Sequence, residues 1–501
     1  MVLGVATAAL LVWLLWPGSD ADHERCLNNE AEAQPVISGD DAQITAAVVH
    51  QRLVCADTVV LVDPASHDSL AAARFAIAEN GVILATTMDE LATTAGEIED
   101  LDARTIYWAG AAGELDQVAD ALGRDAKIIE NQTPAPGETA NGSGQLTPQT
   151  LEGLTVAPDA ATSEPDLVDA RDVFFVMPDD LQIGVLIAPA LAQSGGRIAV
   201  IDFAAPPIEL DEQRPASTLV GNPDPTQLWQ YEGFLSNRSV LGGGAELFPD
   251  RRFVASYGSP DSPSLGVLGE AASPVEALET LQPLVDSYAV DGVLTLPAFE
   301  IIVTVATAEP GSDGDYSSEL FLDDVRPWVD FAQEQGVYVI LDLQSGRSGF
   351  LRQAEIYREL LERPNVGLAL DPEWRLYGDQ LHLNQIGSVD GAEVEEVSQW
   401  LAELVRQNNL PQKLFIVHQF QRAMLTNPEL ISTPAELATV IHIDGQGDRA
   451  LKLNTYNVLT ATEATDHLWF GWKNFFDEDN PLSTPAEVLE LDPAPVVITY
   501  Q

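Results

Sequence analysis

Two acidic residues that follow an apolar run are the sharpest chemical signal in the sequence. Asp371 and Glu373 come directly after Val366-Gly-Leu-Ala-Leu370, a run that is typical of a buried strand. Alternate residues of an extended segment point to one side, so we expect both carboxylates on one face, about 6–7 Å apart along the chain. Neighbouring acids drive their pKa values apart, which leaves one proton donor and one base or charge-stabilising group. Glycoside hydrolysis requires such a pair of carboxyl groups.

Other polar side chains recur where apolar runs of the C-terminal half end. They are Tyr257, Glu300, Asp342, Gln344, Trp374, Arg375, His418, Gln419, Asp444, Gln446, Trp472 and Lys473. Acids of solvated loops would not recur so regularly at strand ends, and we therefore predict one shared site for a polar ligand such as a sugar. For any single residue, a cap, a turn or an ion pair is an equally good interpretation.

The elements that must position these residues are eight β-type runs between Arg251 and Gln501. The runs are Phe253–Tyr257, Gly292–Leu296, Val337–Asp342, Val366–Asp371, Lys413–His418, Ala438–Asp444, His467–Gly471 and Pro495–Tyr500. Helical or loop segments separate them, and the segment from Pro297 to Glu300 is expected to follow the second strand. Eight strands in about 250 residues are the number and size of a (β/α)8 barrel, whose active sites lie at the carboxyl ends of its strands. The sequence thus predicts an α/β chain with a C-terminal TIM barrel over residues 251–501.

The N-terminal half predicts a smaller α/β domain over residues 26–205. Its strand-like runs are Thr58–Asp63, Gly81–Thr86, Arg104–Ala109, Lys127–Glu130, Val173–Met177 and Arg197–Asp202, with helical stretches between them. Alternating strands and helices indicate a parallel sheet. Residues 131–165 are rich in Pro, Gly, Ser and Thr and predict a linker or exposed loop, and residues 206–250 predict a loop-rich bridge to the barrel.

The extreme N-terminus predicts a location outside the cytoplasm. Residues 1–16 carry no charge and Pro17-Gly18 ends the run, so residues 1–18 predict a signal peptide or membrane anchor, with a buried core helix as the alternative. The basic residues that open a signal peptide are missing, which indicates a start further upstream. The two cysteines, Cys26 and Cys55, predict a disulfide in such a compartment, or otherwise two free thiols.

The charge of the chain excludes one class of partner. Acidic residues number 78 against 24 basic ones, which gives a net charge of −54. This field repels phosphate backbones, so we expect no nucleic-acid binding. Salt screens such self-repulsion. The composition therefore fits either a halophilic source or a strongly acidic secreted protein.

Other chemistries are weaker interpretations of the same residues. His418 and the acids of the strand ends could hold a divalent ion for metal-dependent hydrolysis, but the paired histidines of common zinc barrels are missing. Gly242-Gly-Gly244 is not followed by the Lys-Ser/Thr of a phosphate loop, and no Gly-x-Ser-x-Gly elbow occurs. We therefore predict no cofactor and no metal ligand.

Three short motifs of the first half resemble a known family. Asp68-Ser-Leu-Ala-Ala72, Val82-Ile-Leu-Ala-Thr86 and Trp108-Ala-Gly110 resemble the helix start and strands of the cell-wall-binding repeats of Gram-positive bacteria. The likeness is clearest from Asp57 to Leu122 and weaker from Val173 to Asp202. It implies a module that binds anionic wall polymers, although so acidic a domain departs from that expectation.

The barrel segment carries a second resemblance. Asp371-x-Glu373 is similar to the Asp-x-Glu of barrel glycosidases that cleave amino-sugar polymers, namely chitinases and barrel lysozymes, although the longer chitinase signature is absent. That likeness implies Glu373 as the acid and Asp371 as its partner, with Asp342 and Asp444 assisting. The segment as a whole resembles an uncharacterised domain of secreted actinobacterial proteins.

Together these patterns predict an envelope or secreted protein whose partner is a cell-wall or extracellular polysaccharide, with membrane contact through the N-terminal segment. The barrel is expected to be glycosidase-like. A non-catalytic carbohydrate-binding or structural envelope protein is the alternative from another class.

Overall fold

The computed structural model describes residues 26–501, apart from 29–30, 32–33, 66–67, 129–146, 148–149, 152, 156–171, 202–215, 237 and 291. The apolar segment 1–18 and most of the predicted linker 131–165 therefore lie outside the described residues. The chain divides into two compact units, with the boundary between Asp224 and Pro225. The prediction that 206–250 is loop-rich is wrong in part, since it contains a strand over Ala216–Val220 and a helix over Pro225–Ser236, each with buried apolar residues.

The first unit contains two separate parallel sheets of four strands each. Its strands are β1 (Val36–Ile37), β2 (Thr58–Val62), β3 (Val82–Ala85), β4 (Thr105–Trp108), β5 (Lys127–Ile128), β6 (Asp172–Val176), β7 (Arg197–Val200) and β8 (Ala216–Val220). One sheet has the order β3-β2-β4-β5 and the other β1-β8-β6-β7. The second strand–helix series of the sequence thus builds a new sheet and does not extend the first.

Helices lie between most of these strands along the chain of the first unit. They are α1 (Asp41–Arg52), α2 (Ser69–Ala78), α3 (Leu91–Asp100), α4 (Leu115–Leu122) and α5 (Leu181–Ser194). Helix α5 is apolar nearly all round and is buried along most of its length, where it packs against α1 and α2. A helix without a polar face must be covered on every side, which explains its central place.

Cys26 and Cys55 form a disulfide bond, which confirms the predicted pairing. Disulfides persist in oxidising compartments, so the bond indicates an extracytoplasmic environment. Among the residues that the structure describes, no helix combines the length and the apolarity needed to cross a membrane.

The second unit is built on a closed barrel of parallel strands. Its strands are β9 (Arg251–Gly258), β10 (Leu294–Ala306), β11 (Ser317–Glu319), β12 (Tyr338–Leu343), β13 (Val366–Leu370), β14 (Val389–Asp390), β15 (Lys413–Gln419), β16 (Leu425–Thr426), β17 (Leu437–Ile443), β18 (Trp469–Asn474) and β19 (Val497–Tyr500). All except β11, β14 and β16 form the barrel wall, which closes because β9 pairs with both β10 and β19. The predicted TIM barrel is confirmed.

Helices cover the outside of the barrel. They are α6 (Pro225–Ser236), α7 (Pro274–Ser287), α8 (Leu322–Gln335), α9 (Phe350–Ile356), α10 (Arg358–Leu361), α11 (Gly391–Gln407), α12 (Arg449–Thr460) and α13 (Pro485–Leu489). Outward strand residues such as Val254, Leu341 and Val417 share one apolar core with these helices. Inward residues such as Ala255 and Ile340 belong to a second core inside the barrel.

Strand β10 differs from the sequence prediction. It spans thirteen residues and contains the segment from Pro297 to Glu300, which was expected to follow it. The expectation is wrong because the β-branched run Ile301–Val305 continues the wall, and the end of β10 pairs antiparallel with β11. Glu300 therefore projects from a strand and not from a loop.

Candidate functional site

Each barrel strand presents a polar residue inward at its carboxyl end. Alternate strand residues face the same side, and two positions earlier each strand carries a small or apolar interior residue such as Ala255, Ile340 or Ile416. The eight polar residues form what we call the mouth layer: Tyr257, Glu300, Asp342, Asp371, His418, His442, Lys473 and Thr499. Each is at most 3% exposed. The strand-end residues that were predicted to lie together thus do so where their side chains point into the barrel.

His418 lies at the centre of the mouth layer between two carboxylates. Its Nε2 is 2.9 Å from Oε1 of Glu300 and its Nδ1 is 3.1 Å from Oδ2 of Asp444. Burial alone would lower the pKa of His418, but these carboxylates raise it well above its ordinary value. Burial opposes ionisation of Asp444 as well, yet contact with His418 holds the pKa of Asp444 below its ordinary value. These contacts favour the protonated form of the His418 imidazole and the ionised form of Asp444.

Asp342 lies next to this group and is held by a tyrosine. The hydroxyl of Tyr257 donates a hydrogen bond of 2.9 Å to Oδ2 of Asp342. Burial raises the pKa of Asp342 to about 6, with His418 opposing the rise and Glu300 adding to it. Burial and then the neighbouring carboxylates raise the pKa of Tyr257 far above its ordinary value, so the hydroxyl stays a donor.

Three buried carboxylate oxygens of this cluster accept no hydrogen bond within the described part of the chain, although Oδ1 of Asp342 lies 3.9 Å from Nε2 of His418. Oε2 of Glu300, Oδ1 of Asp342 and Oδ1 of Asp444 receive no hydrogen bond from any described residue. An unsatisfied buried acceptor is costly, so such atoms are suited to the hydroxyl groups of a ligand or to water.

Asp371 and Glu373 lie at the edge of the mouth layer, but not in the expected geometry. The segment is not extended, because Pro372 opens a short 3-10 turn over Pro372–Trp374 and Asp371 caps it by accepting the backbone N–H of Glu373 at 3.3 Å. Burial and then Asp342 raise the pKa of Asp371 well above its ordinary value. Burial and then the charge of Asp444 raise the pKa of Glu373 to about 7. Glu373 is partly exposed.

Two members of the mouth layer are absent from the residues singled out in the sequence. Nε2 of His442 is 2.8 Å from the hydroxyl of Thr499. Burial and then His418 keep the pKa of His442 well below its ordinary value, so this imidazole is neutral. His442 lies two residues after the interior residue Val440, just as His418 lies two residues after Ile416. The alternation of strand side chains would therefore have predicted that His442 points inward.

Lys473 carries a positive charge into the mouth layer. Its Nζ lies 3.3 Å from the centre of the Tyr257 ring, which is a cation–π contact. The positive charge of Lys473 also helps to lower the pKa of Asp444 and limits the rise at Glu373.

Several predicted binding residues have other contacts. Gln344 accepts a hydrogen bond from the N–H of Ala306 at 3.0 Å and ties β10 to β12. Gln419 follows the inward His418 and donates to a nearby carbonyl group, and Gln446 is exposed on a loop. Arg375 lies beyond the 3-10 turn, where its ion pair with Glu393 is 2.9 Å long. None of these contacts brings the side chain into the mouth layer.

The predicted aromatic residues are also placed unequally. Trp472 is adjacent to the inward Lys473 and so faces outward, where it is 1% exposed against Tyr456. That position offers no open ring face for a sugar. Trp374 is half-buried and contacts His382 edge to face, which leaves it as the predicted aromatic residue beside Glu373.

The donor atoms of the mouth layer do not form a compact ligand set for a metal ion. Within the described part of the chain, one group of three acidic or histidine side chains has its ligand atoms within 4.8 Å of one another, and it is Asp313, Asp315 and Glu319 on the loop and strand after β10. In the mouth layer both ring nitrogens of His418 already contact carboxylates. The residues there fit acid–base chemistry better than metal binding.

Sequence comparison finds no family or curated relative for this chain. The chain matches no model of a known protein family. A search of curated proteins finds no significant sequence match either. The resemblances to wall-binding repeats and barrel glycosidases therefore stay predictions, and function has to be argued from the mouth layer.

Proposed function

We propose that the barrel is a glycoside hydrolase-like enzyme that acts on cell-wall or extracellular polysaccharide, with Glu373 as the proton donor. The observation that carries this proposal is the state of Glu373, whose pKa is raised to about 7 while its side chain remains partly exposed. A general acid for a glycosidic oxygen must be protonated near the working pH and reachable by the substrate. Glu373 meets both conditions.

A second carboxylate in the opposite protonation state supports the assignment. The pKa of Asp444 is lowered, and the charge of Asp444 contributes to the raised pKa of Glu373. The two groups therefore suit an acid and an ionised base or stabiliser, as glycosidases require. Asp371 is buried and holds the turn that carries Glu373, so we assign it a positioning role.

The rival proposal is a barrel that binds glycan without cleaving it. It is favoured by the deep burial of Glu300, Asp342 and His418, none of which is exposed. A polar layer that no substrate reaches would serve only to fix the structure, while sugars would contact Trp374 and the loops above it.

For the first unit we propose a wall-polymer-binding role, on its resemblance to wall-binding repeats. The disulfide and the acidic composition suit an extracytoplasmic module. The net charge of −54 predicts that binding of the full-length protein to isolated Gram-positive walls strengthens as salt is raised. Binding that weakens steadily with salt would instead indicate attraction between opposite charges and contradict this proposal.

The test of the enzymatic proposal measures release of reducing ends from peptidoglycan and from chitin. The variants Glu373→Gln and Asp444→Asn should lose activity by about a hundredfold or more while remaining folded. Activity of the natural protein should fall as pH rises through about 7, where Glu373 deprotonates. The matched control is Glu355→Gln, at an exposed residue of α9. Cleavage that survives in Glu373→Gln would refute the assignment, and glycan binding without cleavage would favour the rival.

A further inference from the structure

Lys473 is a buried residue of the mouth layer, and its ammonium group has no hydrogen-bond acceptor among the described residues. The residue is 3% exposed, and its Nζ rests on the face of Tyr257 with Phe475 at 5.3 Å. Among the described residues, none accepts a hydrogen bond from this nitrogen and no carboxylate lies within 4.0 Å of it. Its N–H bonds are therefore available to a ligand that enters the barrel.

The other lysines of the chain are engaged or lie on the surface. Lys452 donates to Asp479 and to the carbonyl oxygen of Lys473. Lys413 donates to two carbonyl groups at the opposite end of the barrel, and Lys127 is exposed. Lys473 is thus the lysine whose amine faces the site.

The scarcity of lysine makes this position informative. Of the 24 basic residues other than histidine, four are lysines, which leaves twenty arginines. Arginine is the better residue for a fixed buried charge, because its guanidinium is always ionised and its donors are rigidly arranged. What lysine can do and arginine cannot is lose a proton and act as a nucleophile.

We propose that Lys473 forms an imine with the carbonyl group of an open-chain hydroxyaldehyde or hydroxyketone. The mouth layer supplies what this reaction needs beside the amine. Tyr257 lies beneath Nζ and donates to Asp342, and the charge of Lys473 helps to lower the pKa of Asp342. A carboxyl group that can exchange a proton is therefore available beside the amine.

The reaction balances without a further reactant. A mouth-layer carboxylate takes a proton from the ammonium group, and the nitrogen electron pair then bonds to the carbonyl carbon while the π pair moves to the oxygen. The oxygen receives one proton from nitrogen and the other back from the carboxyl group, and it leaves as water. Ammonium and carbonyl thus become a protonated imine and one water molecule.

The surrounding acceptors indicate the class of substrate. Oε2 of Glu300 and Oδ1 of Asp342 are buried and lack a donor among the described residues. Hydroxyl groups beside the carbonyl would supply those donors. A keto acid would instead add a carboxylate to a site that already holds Glu300, Asp342 and Asp444 around His418, which is unfavourable. The inference concerns a carbonyl substrate and is independent of glycosidic cleavage by Glu373.

The test is trapping with sodium borohydride, which reduces an imine to a stable secondary amine. The full-length protein is incubated with dihydroxyacetone, reduced, digested and mapped by mass spectrometry. We expect one reduced adduct on Lys473, on the order of tenfold above that on the exposed Lys127. Pyruvate in place of dihydroxyacetone should give little adduct.

The control variant Lys473→Arg keeps the charge and cannot form an imine, so the adduct should disappear while the thermal unfolding transition is kept. Labelling that is equal on Lys127 and Lys473, or that persists at the same level in Lys473→Arg, would overturn the proposal. The map of the natural protein decides the question even if the variant does not fold. Glu373→Gln should keep the adduct, and this separates the outcome from that of the hydrolase assay.

Discussion

Replacing the proposed acid by its neutral isostere should stabilise the protein. The pKa of Glu373 rises from 4.5 to about 7 on folding, because burial and the charge of Asp444 disfavour its ionised form. A raised folded-state pKa means that the folded protein binds more protons than the unfolded chain between those two values. The associated stability is complete below pH 4.5 and is lost as pH rises through 7. At pH 8 the ionised carboxylate therefore costs about 3 kcal/mol.

Glu373→Gln removes that cost and sacrifices little in return. Among the described residues, none makes a side-chain hydrogen bond with the carboxyl group of Glu373, and its backbone N–H keeps Asp371 as acceptor. We expect the variant to exceed the natural protein by about 3 kcal/mol at pH 8, or roughly 5–10 °C in the melting temperature of the barrel, and by less than about 1 kcal/mol at pH 5.

Urea denaturation followed by tryptophan fluorescence at pH 5 and pH 8 measures both values. Glu355→Gln is the control, since this exposed residue of α9 should change stability by less than about 0.5 kcal/mol at either pH. A variant that is no more stable than the natural protein at pH 8, or that is stabilised equally at pH 5, would show that the site does not disfavour the ionised form of Glu373. The hydrolase proposal would then lose its main support.

Three further perturbations test the framework around the site. Burial lowers the pKa of Lys413 to about 7, so between pH 7 and 10.5 the unfolded chain binds more protons than the folded protein and stability rises with pH. The variant Lys413→Met should lack that rise. Its stability advantage over the natural protein at pH 7, measured by urea denaturation, should therefore shrink by several kcal/mol at pH 10. A methyl group at Gly471 would lie 2.5 Å from Nδ1 of His442, so Gly471→Ala should lower the free energy of unfolding by about 1–3 kcal/mol, and an unchanged melting temperature would contradict this packing. Reducing the bond between Cys26 and Cys55, which closes a loop over a separation of 29 residues, should destabilise the first unit by roughly 3–4 kcal/mol in a calorimetric scan and leave the barrel transition in place.

The barrel could be predicted from the sequence because strand-like apolar runs recur regularly along it. Eight β-type runs in about 250 residues fix the strand number, and parallel strands must place their carboxyl ends together. The same logic gave Glu300, Asp342 and His418 as neighbours, although the loop assigned to Glu300 proved to be part of a strand. Position at a strand end was thus a sound guide to location.

Position alone did not tell inward side chains from outward ones. Trp472 and Gln419 each lie one residue from an inward partner and therefore face away, whereas His442 has the inward alternation and was not singled out. The geometry of Asp371 and Glu373 failed for another reason. Proline at the first position of a turn, with an aspartate before it, is a strong local signal for a capped 3-10 turn. The segment therefore forms that turn and not the extended strand that was predicted.

Buried charges are concentrated in and beside the mouth layer. Other buried cations of the barrel unit include Lys452, which pairs with Asp479, and Arg375, which pairs with Glu393. In and beside the mouth layer, Glu300 and Asp444 share His418, buried carboxylate oxygens lack hydrogen-bond donors among the described residues, and the pKa of Asp444 is lowered while that of Asp342 is raised. Such an arrangement lowers stability, since each unsatisfied acceptor and each displaced pKa has a free-energy cost. A layer needed only for packing would be filled more stably by apolar side chains, so its polar composition is best explained by a ligand that completes it.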